Sequence, residues 1–338
     1  MNWHSFENKR ILGTVPVEED GSAYFEVPGN TFVYFQALDA AGKMVQSMRS
    51  GVVVQPGEKY GCVGCHEKRV GEAAPVAERA AALGRAPSKL DGSWNLAGLG
   101  RGTAKAFSFQ RDVQPVFTKN CLSCHDYGGK AAEKLNLSGD LGAFFATSYV
   151  ELWSQGFVTC AGGGPAEIFP AFSWGSHASK LTKKLYGHGR VQLTEEERAR
   201  VIIWMDLNGI YYPTYSSAYP ANLGGRLPLT KSEKDELEKL TGGKIENRHE
   251  RRQREQLDFD RPELSRILAT ATGERKEQAL AIIRKGAERL AARGRGDVEE
   301  GFEPCAADQA RSRRLAKREA EEARVYAAIR ENQKVYDE

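Results

Sequence analysis

This sequence predicts a multidomain β-plus-α protein: a small antiparallel β-sandwich, then a compact helical domain, then a helical C-terminal tail. Three observations carry that prediction. Between residues 10 and 58, short runs of β-branched and aromatic residues alternate with turn segments, a pattern of several short strands. Two Cys-x-x-Cys-His pentapeptides follow, one directly after the strand-patterned stretch and one at the end of a helix-patterned stretch. Beyond about residue 225 the composition shifts to charged segments with helical periodicity. The division that results is 1–69, 70–105, 106–225 and 226–338.

In the first unit, Ile11 to Val17 and Ala23 to Val27 read as extended segments separated by the turn-rich Glu18-Glu19-Asp20-Gly21-Ser22. Thr31 to Leu38 is suited to a central strand, and Met44 to Met48 and Gly51 to Val54 follow another glycine-containing turn. The aromatics here have a plain core explanation, so the unit reads as a scaffold. Residues 70–105, rich in alanine and glycine with Pro75 and Pro87, read as a linker or covering loop in which Trp94 is an anchor.

The second unit opens at Phe107. Asp112 is the expected cap of a helix carrying Val113, Val116 and Phe117, which delivers Cys121 and Cys124 at its far end. Residues 179–190 suggest a short helix ended by glycine. Thr194, with Glu197 at the third helical position, opens a stronger helix whose Val201, Ile202, Trp204 and Met205 face the first. In the tail, residues 278–290 and 313–330 have helical patterns, read as packing around the preceding domain, with a partner-docking arm as the alternative.

The pentapeptides carry the chemistry. Two thiols on one side of a short turn can form thioethers to a porphyrin, while the adjacent imidazole reaches the iron, so Cys62, Cys65 and His66, and Cys121, Cys124 and His125, read as two attachment sites for covalently bound haem c. Competing readings are a zinc site, a redox dithiol or a buried thiol pair. A four-cysteine zinc site would join motifs about 60 residues apart and leave each following histidine unexplained. Zinc is therefore not expected.

A helix, an attachment site, a loop and a final helix resemble a class I cytochrome c domain. That family takes its distal ligand, commonly methionine, from the loop before the last helix. His188 stands there, so His125 and His188 are the expected axial pair, with His177 the competing ligand. The first haem has no equally evident distal partner: Met44 and Met48 are plainer as core filler, and His4 requires the N-terminal arm to fold back. An open sixth position is the expectation. Cys160 lies in a loop before Gly162-Gly163-Gly164, which lacks a phosphate-loop signature.

The 338 residues carry a formal net charge of +3, which gives little support for nucleic-acid binding. No run of about 20 apolar residues is present, so no integral membrane segment is expected. Met1 to Phe6 lacks the basic and apolar regions of a secretory signal. Haem c attachment is completed outside the cytoplasm, so the expected location is periplasmic or otherwise extracytoplasmic, with the signal absent from this chain. In such a compartment Cys160 and Cys305 can pair or remain free thiols.

Several ordered motifs resemble a known family. Ile11 to Ala23, Tyr34-Phe35-Gln36-Ala37-Leu38-Asp39, Gln46 to Ser50, Cys62 to Glu67, Trp174-Gly175-Ser176-His177 and Trp204-Met205-Asp206-Leu207-Asn208 are similar to the middle and C-terminal regions of hydrazine synthase alpha subunits and their dihaem relatives. The resemblance implies an upstream β-propeller and assembly with other subunits. It implies a first haem that is the substrate site, joining nitric oxide-derived hydroxylamine to ammonia, and a second that passes electrons. In that family a tyrosine four residues after the first motif histidine ligates iron, and the histidine binds zinc. Val70 stands at that position here and cannot ligate iron, so His66 is the expected proximal ligand.

The expected function is electron transfer by a dihaem c-type protein, with a redox protein or other subunits of an extracytoplasmic complex as partners. The alternatives are an oxidoreductase acting on a small nitrogen compound or peroxide at an open first haem, and a structural assembly module.

Overall fold

The structure is a computed structural model that describes residues 8–62, 80–92, 106–161, 169–189, 191–214, 216–246, 253–293 and 305–333. It combines small antiparallel sheets with helices, the β-plus-α composition expected. In the N-terminal unit β1 (Phe32–Val33) pairs with β4 (Val52–Val53), and β2 (Gln36–Leu38) pairs with β3 (Met44–Ser47). The β2–β3 connection is fixed locally. Asp39 Oδ1 accepts the amides of Ala41 and Lys43, both at 2.9 Å, and Gly42 takes the left-handed φ of 72° that closes the turn.

The stretches 11–17 and 23–27 make no regular strand. Each makes a single bridge, Thr14 to Asp91 and Phe25 to Ser88. Their partners come from the segment expected to be a covering loop. Arg85 secures that segment, with Nε 2.7 Å from Glu18 Oε1 and Nη1 2.6 Å from Ser88 Oγ. Residues 80–92 thus complete the edge of the β unit.

The helical part begins with a wide π-type turn over Phe109–Val113 that runs into α1 (Gln114–Asn120). Ser108, not Asp112, is the cap: its Oγ accepts the Arg111 amide, while Asp112 Oδ2 reaches back to the Ser108 amide at 2.8 Å. The extra turn displaces the start by four residues, because the buried Phe109 must enter the core ahead of the helix. Next come α2 (Leu122–His125), α3 (Thr147–Ser154), α4 (Lys180–Gly187) and α5 (Glu195–Asp206). α5 opens with the expected box: Thr194 Oγ1 accepts from the Glu197 amide, and Glu197 Oε2 accepts from the Thr194 amide.

The core is aromatic. The Phe109 ring centre lies 5.0 Å from Trp204 on α5, 5.1 Å from Tyr149 on α3 and 5.6 Å from Tyr211. All four rings are buried, and each contributes about 1.5–3 kcal/mol of burial free energy. This contact holds α5 against the approach to α1, as the apolar pattern of both segments requires.

The tail supplies α6 (Lys231–Thr241), α7 (Gly273–Arg293) and α8 (Ala306–Arg330). Leu229, Leu237, Phe259, Ile267 and Ile283 join the same core as Phe109 and Trp204, so α6 and α7 are integral to it. α8 is exposed along most of its length. The charge density of residues 230–246 masked α6 in the sequence. Its signals are Thr230 with Glu233, a second capping box, and Gly242 in the left-handed conformation at its end.

Candidate functional site

The site is built where α1 hands over to α2. Cys121 ends α1, its amide donating to Phe117 O at 2.8 Å, and the His125 amide donates to Cys121 O at 3.0 Å. Lys119 Nζ and Asn120 Nδ2, just before the turn, bond Glu197 Oε1 at 2.8 and 3.2 Å, tying the motif to the start of α5. The Cys121 thiol is half-buried, and burial followed by the nearby Glu197 carboxylate pushes it up to about 11. Cys124 is exposed, and neither thiol is in a disulfide.

His125 is oriented by the chain that follows it. Its Nδ1 lies 2.7 Å from the Leu135 carbonyl oxygen, and its own carbonyl accepts the Leu137 amide at 2.8 Å. A carbonyl can only accept, so Nδ1 carries the proton and the Nε2 lone pair is left for a metal. The other imidazole comes from α4, which is anchored by buried Leu181 and Leu185 and delivers His188 at its end. The rings of His125 and His188 lie with their centres 5.9 Å apart and their planes inclined by 49°.

That separation suits one ion between two imidazoles, since each metal–nitrogen bond is about 2 Å. With Nδ1 of His125 already satisfied, two thiols on the adjoining turn and an exposed second histidine nearby, the residues present fit a covalently attached haem. Among the described residues no group of three or more His, Cys, Asp or Glu side chains is arranged to hold a bare metal ion.

His177 is engaged elsewhere. Its Nε2 lies 2.9 Å from Asp39 Oδ2, and its ring packs edge-on against Phe172 at 4.9 Å. It belongs to the junction between the β unit and the helical part. There the Met44 amide donates to Asp206 Oδ2 at 3.1 Å, the Ser176 amide donates to Asp206 Oδ1 at 2.6 Å, and Gln36 Nε2 donates to the Asp206 carbonyl at 2.7 Å. Burial pushes the Asp206 carboxyl up to about 6 despite these donors. Met44 is fully buried beside Trp174 and Ala161, as core filler.

Of the first motif, Cys62 is described and exposed; Cys65, His66 and Val70 lie outside the described residues, as do His4 and Trp94. Cys160 and Cys305 are free thiols. Burial raises the Cys160 thiol above its usual range, while Cys305 Sγ lies 3.3 Å from Asp308 Oδ2 at the start of α8. No sequence signal marks the Leu135 carbonyl, because every residue carries one. Asp206 was visible only as a member of the Trp204–Asn208 motif.

The architecture is thus a β-plus-α protein with two neighbouring histidines at a Cys-x-x-Cys-His turn. Residues 1–67 match the family model described as the hydrazine synthase alpha subunit middle domain, a stretch that ends just past the first pentapeptide. This match supports a relation to the hydrazine synthase alpha family over that stretch. Among solved structures, Kuenenia stuttgartiensis hydrazine synthase is similar at 18% sequence identity and a TM-score of 0.39. The alignment covers 59% of this chain and 32% of that one, so this chain spans about a third of the length of the protein it matches. None of the curated proteins compared matches the chain. Among the described residues no helix is long and apolar enough to cross a membrane.

Proposed function

We propose that the chain is a dihaem c-type electron-transfer protein. The observation that carries this reading is the proximity of His125 and His188, whose ring centres are 5.9 Å apart, beside Cys121 and Cys124. Cys121 and Cys124 would hold the second haem through thioethers, and His125 and His188 would be its protein ligands. When bound, that haem supplies a one-electron couple whose potential follows from its ligands, their hydrogen bonds and burial. The Leu135 carbonyl holds the His125 proton on Nδ1, the tautomer that would bind iron through Nε2. With both histidines bound to it, that iron would have no place left for a substrate.

Cys62, Cys65 and His66 would hold the first haem, with His66 as its ligand. The match of residues 1–67 to the hydrazine synthase alpha subunit middle domain favours a second reading for this site alone, small-molecule chemistry at an open iron. The protein works in an extracytoplasmic compartment, with a redox protein or further subunits as partners.

The test is expression with a haem c attachment system, followed by intact-mass measurement and a reductive titration. The reading expects a mass increase of two haems and uptake of two electrons per chain, and rapid electron exchange with a small redox protein. A chain without covalent haem, or one whose second iron stays oxidised throughout, contradicts it.

A further inference from the structure

The loop that orients His125 is itself gripped from the C-terminal tail. Leu135 and Leu137, which bond the His125 side chain and main chain, lie on a stretch that continues through Ser138 and Asp140. Arg261, beyond α6, reaches both sides of this loop. Its guanidinium forks onto Asp126, with Nη2 2.7 Å from Oδ1 and Nη1 3.1 Å from Oδ2. In the other direction, Nε meets Asp140 Oδ2 at 2.5 Å and Nη2 meets Ser138 Oγ at 3.0 Å. Asp126 is the residue immediately after His125.

The grip is braced in turn. The guanidinium lies over the Tyr127 ring, 4.7 Å from its centre. Asp258 Oδ1 accepts the Arg261 amide at 2.7 Å, which fixes the bend that presents the side chain. The Phe259 amide donates to Leu141 O at 2.9 Å, and the Leu141 amide donates to Asp260 Oδ2 at 2.7 Å. Here the contacts converge on the residue beside His125 and on the stretch that carries its hydrogen-bond acceptor. The guanidinium makes four directed bonds to the two carboxylates and the hydroxyl, one more than the three an ammonium can donate.

We propose that Arg261 is a positioning residue for the second haem site: by bridging Asp126 to Ser138 and Asp140, it fixes how His125 Nδ1 meets the Leu135 carbonyl. The ring plane and donor strength of the imidazole that binds iron follow from that contact, as they do wherever an outer partner orients a metal-binding histidine. The inference rests on the assignment of His125 and His188 as the axial pair.

The experiment uses the full chain with both haems attached, measured by low-temperature electron paramagnetic resonance and redox titration. Wild type and His188→Ala are compared first: a low-spin signal lost in His188→Ala identifies the second haem, and its absence overturns the ligand assignment and this inference together. Arg261→Lys keeps the charge but loses the fork. It is expected to shift and broaden the g-values of that signal and move its midpoint potential, leaving the first haem unchanged. Arg261→Gln is expected to do the same and to lower the potential further, because Asp126 and Asp140 then lack their cation. Asp126→Asn, which preserves shape, gives a smaller shift and serves if the arginine variants fold poorly. Unaltered g-values and potential in these variants, even with lowered thermal stability, overturn the inference.

Discussion

The amide of Met44 donates to Oδ2 of Asp206 at 3.1 Å, across 162 residues of sequence. This bond joins the second strand pair of the β unit to the last turn of α5, and so fixes the relation between the unit that leads to the first motif and the helices that frame the second. Ser176 adds an amide and a hydroxyl, the latter 2.9 Å from Oδ2. One buried carboxylate thus organises three segments.

Asp206 sets a pH dependence of stability. Burial raises its folded-state pKa from 3.8 to about 6, so between those values the folded protein binds more protons than the unfolded chain. Stability from this group is therefore greatest at low pH and falls by up to about 3 kcal/mol as pH rises through 6. Asp206→Asn is expected to flatten that slope in urea unfolding between pH 4 and 7. At neutral pH it also costs about 1–3 kcal/mol, because the amide nitrogen faces donors.

Thr194 and Glu197 give the opposite acid behaviour. The hydrogen bond from Lys119 and the Thr194 amide hold the Glu197 carboxyl down at about 2. Its contribution is complete above the unfolded value of 4.5 and is lost as pH falls toward 2. Thr194→Ala is expected to destabilise the protein by about 1 kcal/mol. Glu197→Gln should weaken the acid dependence below pH 4.5 and leave the helix content seen by circular dichroism nearly unchanged at pH 7.

Gly209 tests the packing of the aromatic core. It has a φ of 66°, and a Cβ placed there would lie 2.7 Å from Trp153 Cζ2 and 3.2 Å from Cys160 Sγ. Gly209→Ala is expected to cost about 2–4 kcal/mol through backbone strain and overpacking. The loss would be read by chemical denaturation, with a changed Trp153 fluorescence.

The pattern of this sequence made some of these features legible and hid others. The capping box at Thr194, the short helix before His188 and the apolar face of α5 follow from local rules and stand as expected. The short strands at 11–17 and 23–27 did not form, because their bridges go to residues 88–91, a pairing that strand periodicity cannot locate. α6 was hidden by its charge, although Leu237 faces the core. At the candidate site, Cys121, Cys124 and His125 could be named from spacing, and His188 from the resemblance to class I cytochrome c domains. The Leu135 carbonyl and Arg261 could not, since one is common to all residues and the other acts across more than 120 positions through Asp140 and Asp126.

The most direct test of the central claim compares the oxidised, haem-loaded wild type with His188→Ala by low-temperature electron paramagnetic resonance, each with and without cyanide. The account predicts a low-spin, cyanide-insensitive second haem in the wild type. In His188→Ala that haem should become high-spin and be converted by cyanide to a new low-spin form. A low-spin signal that survives the substitution unchanged would contradict the pairing of His125 with His188.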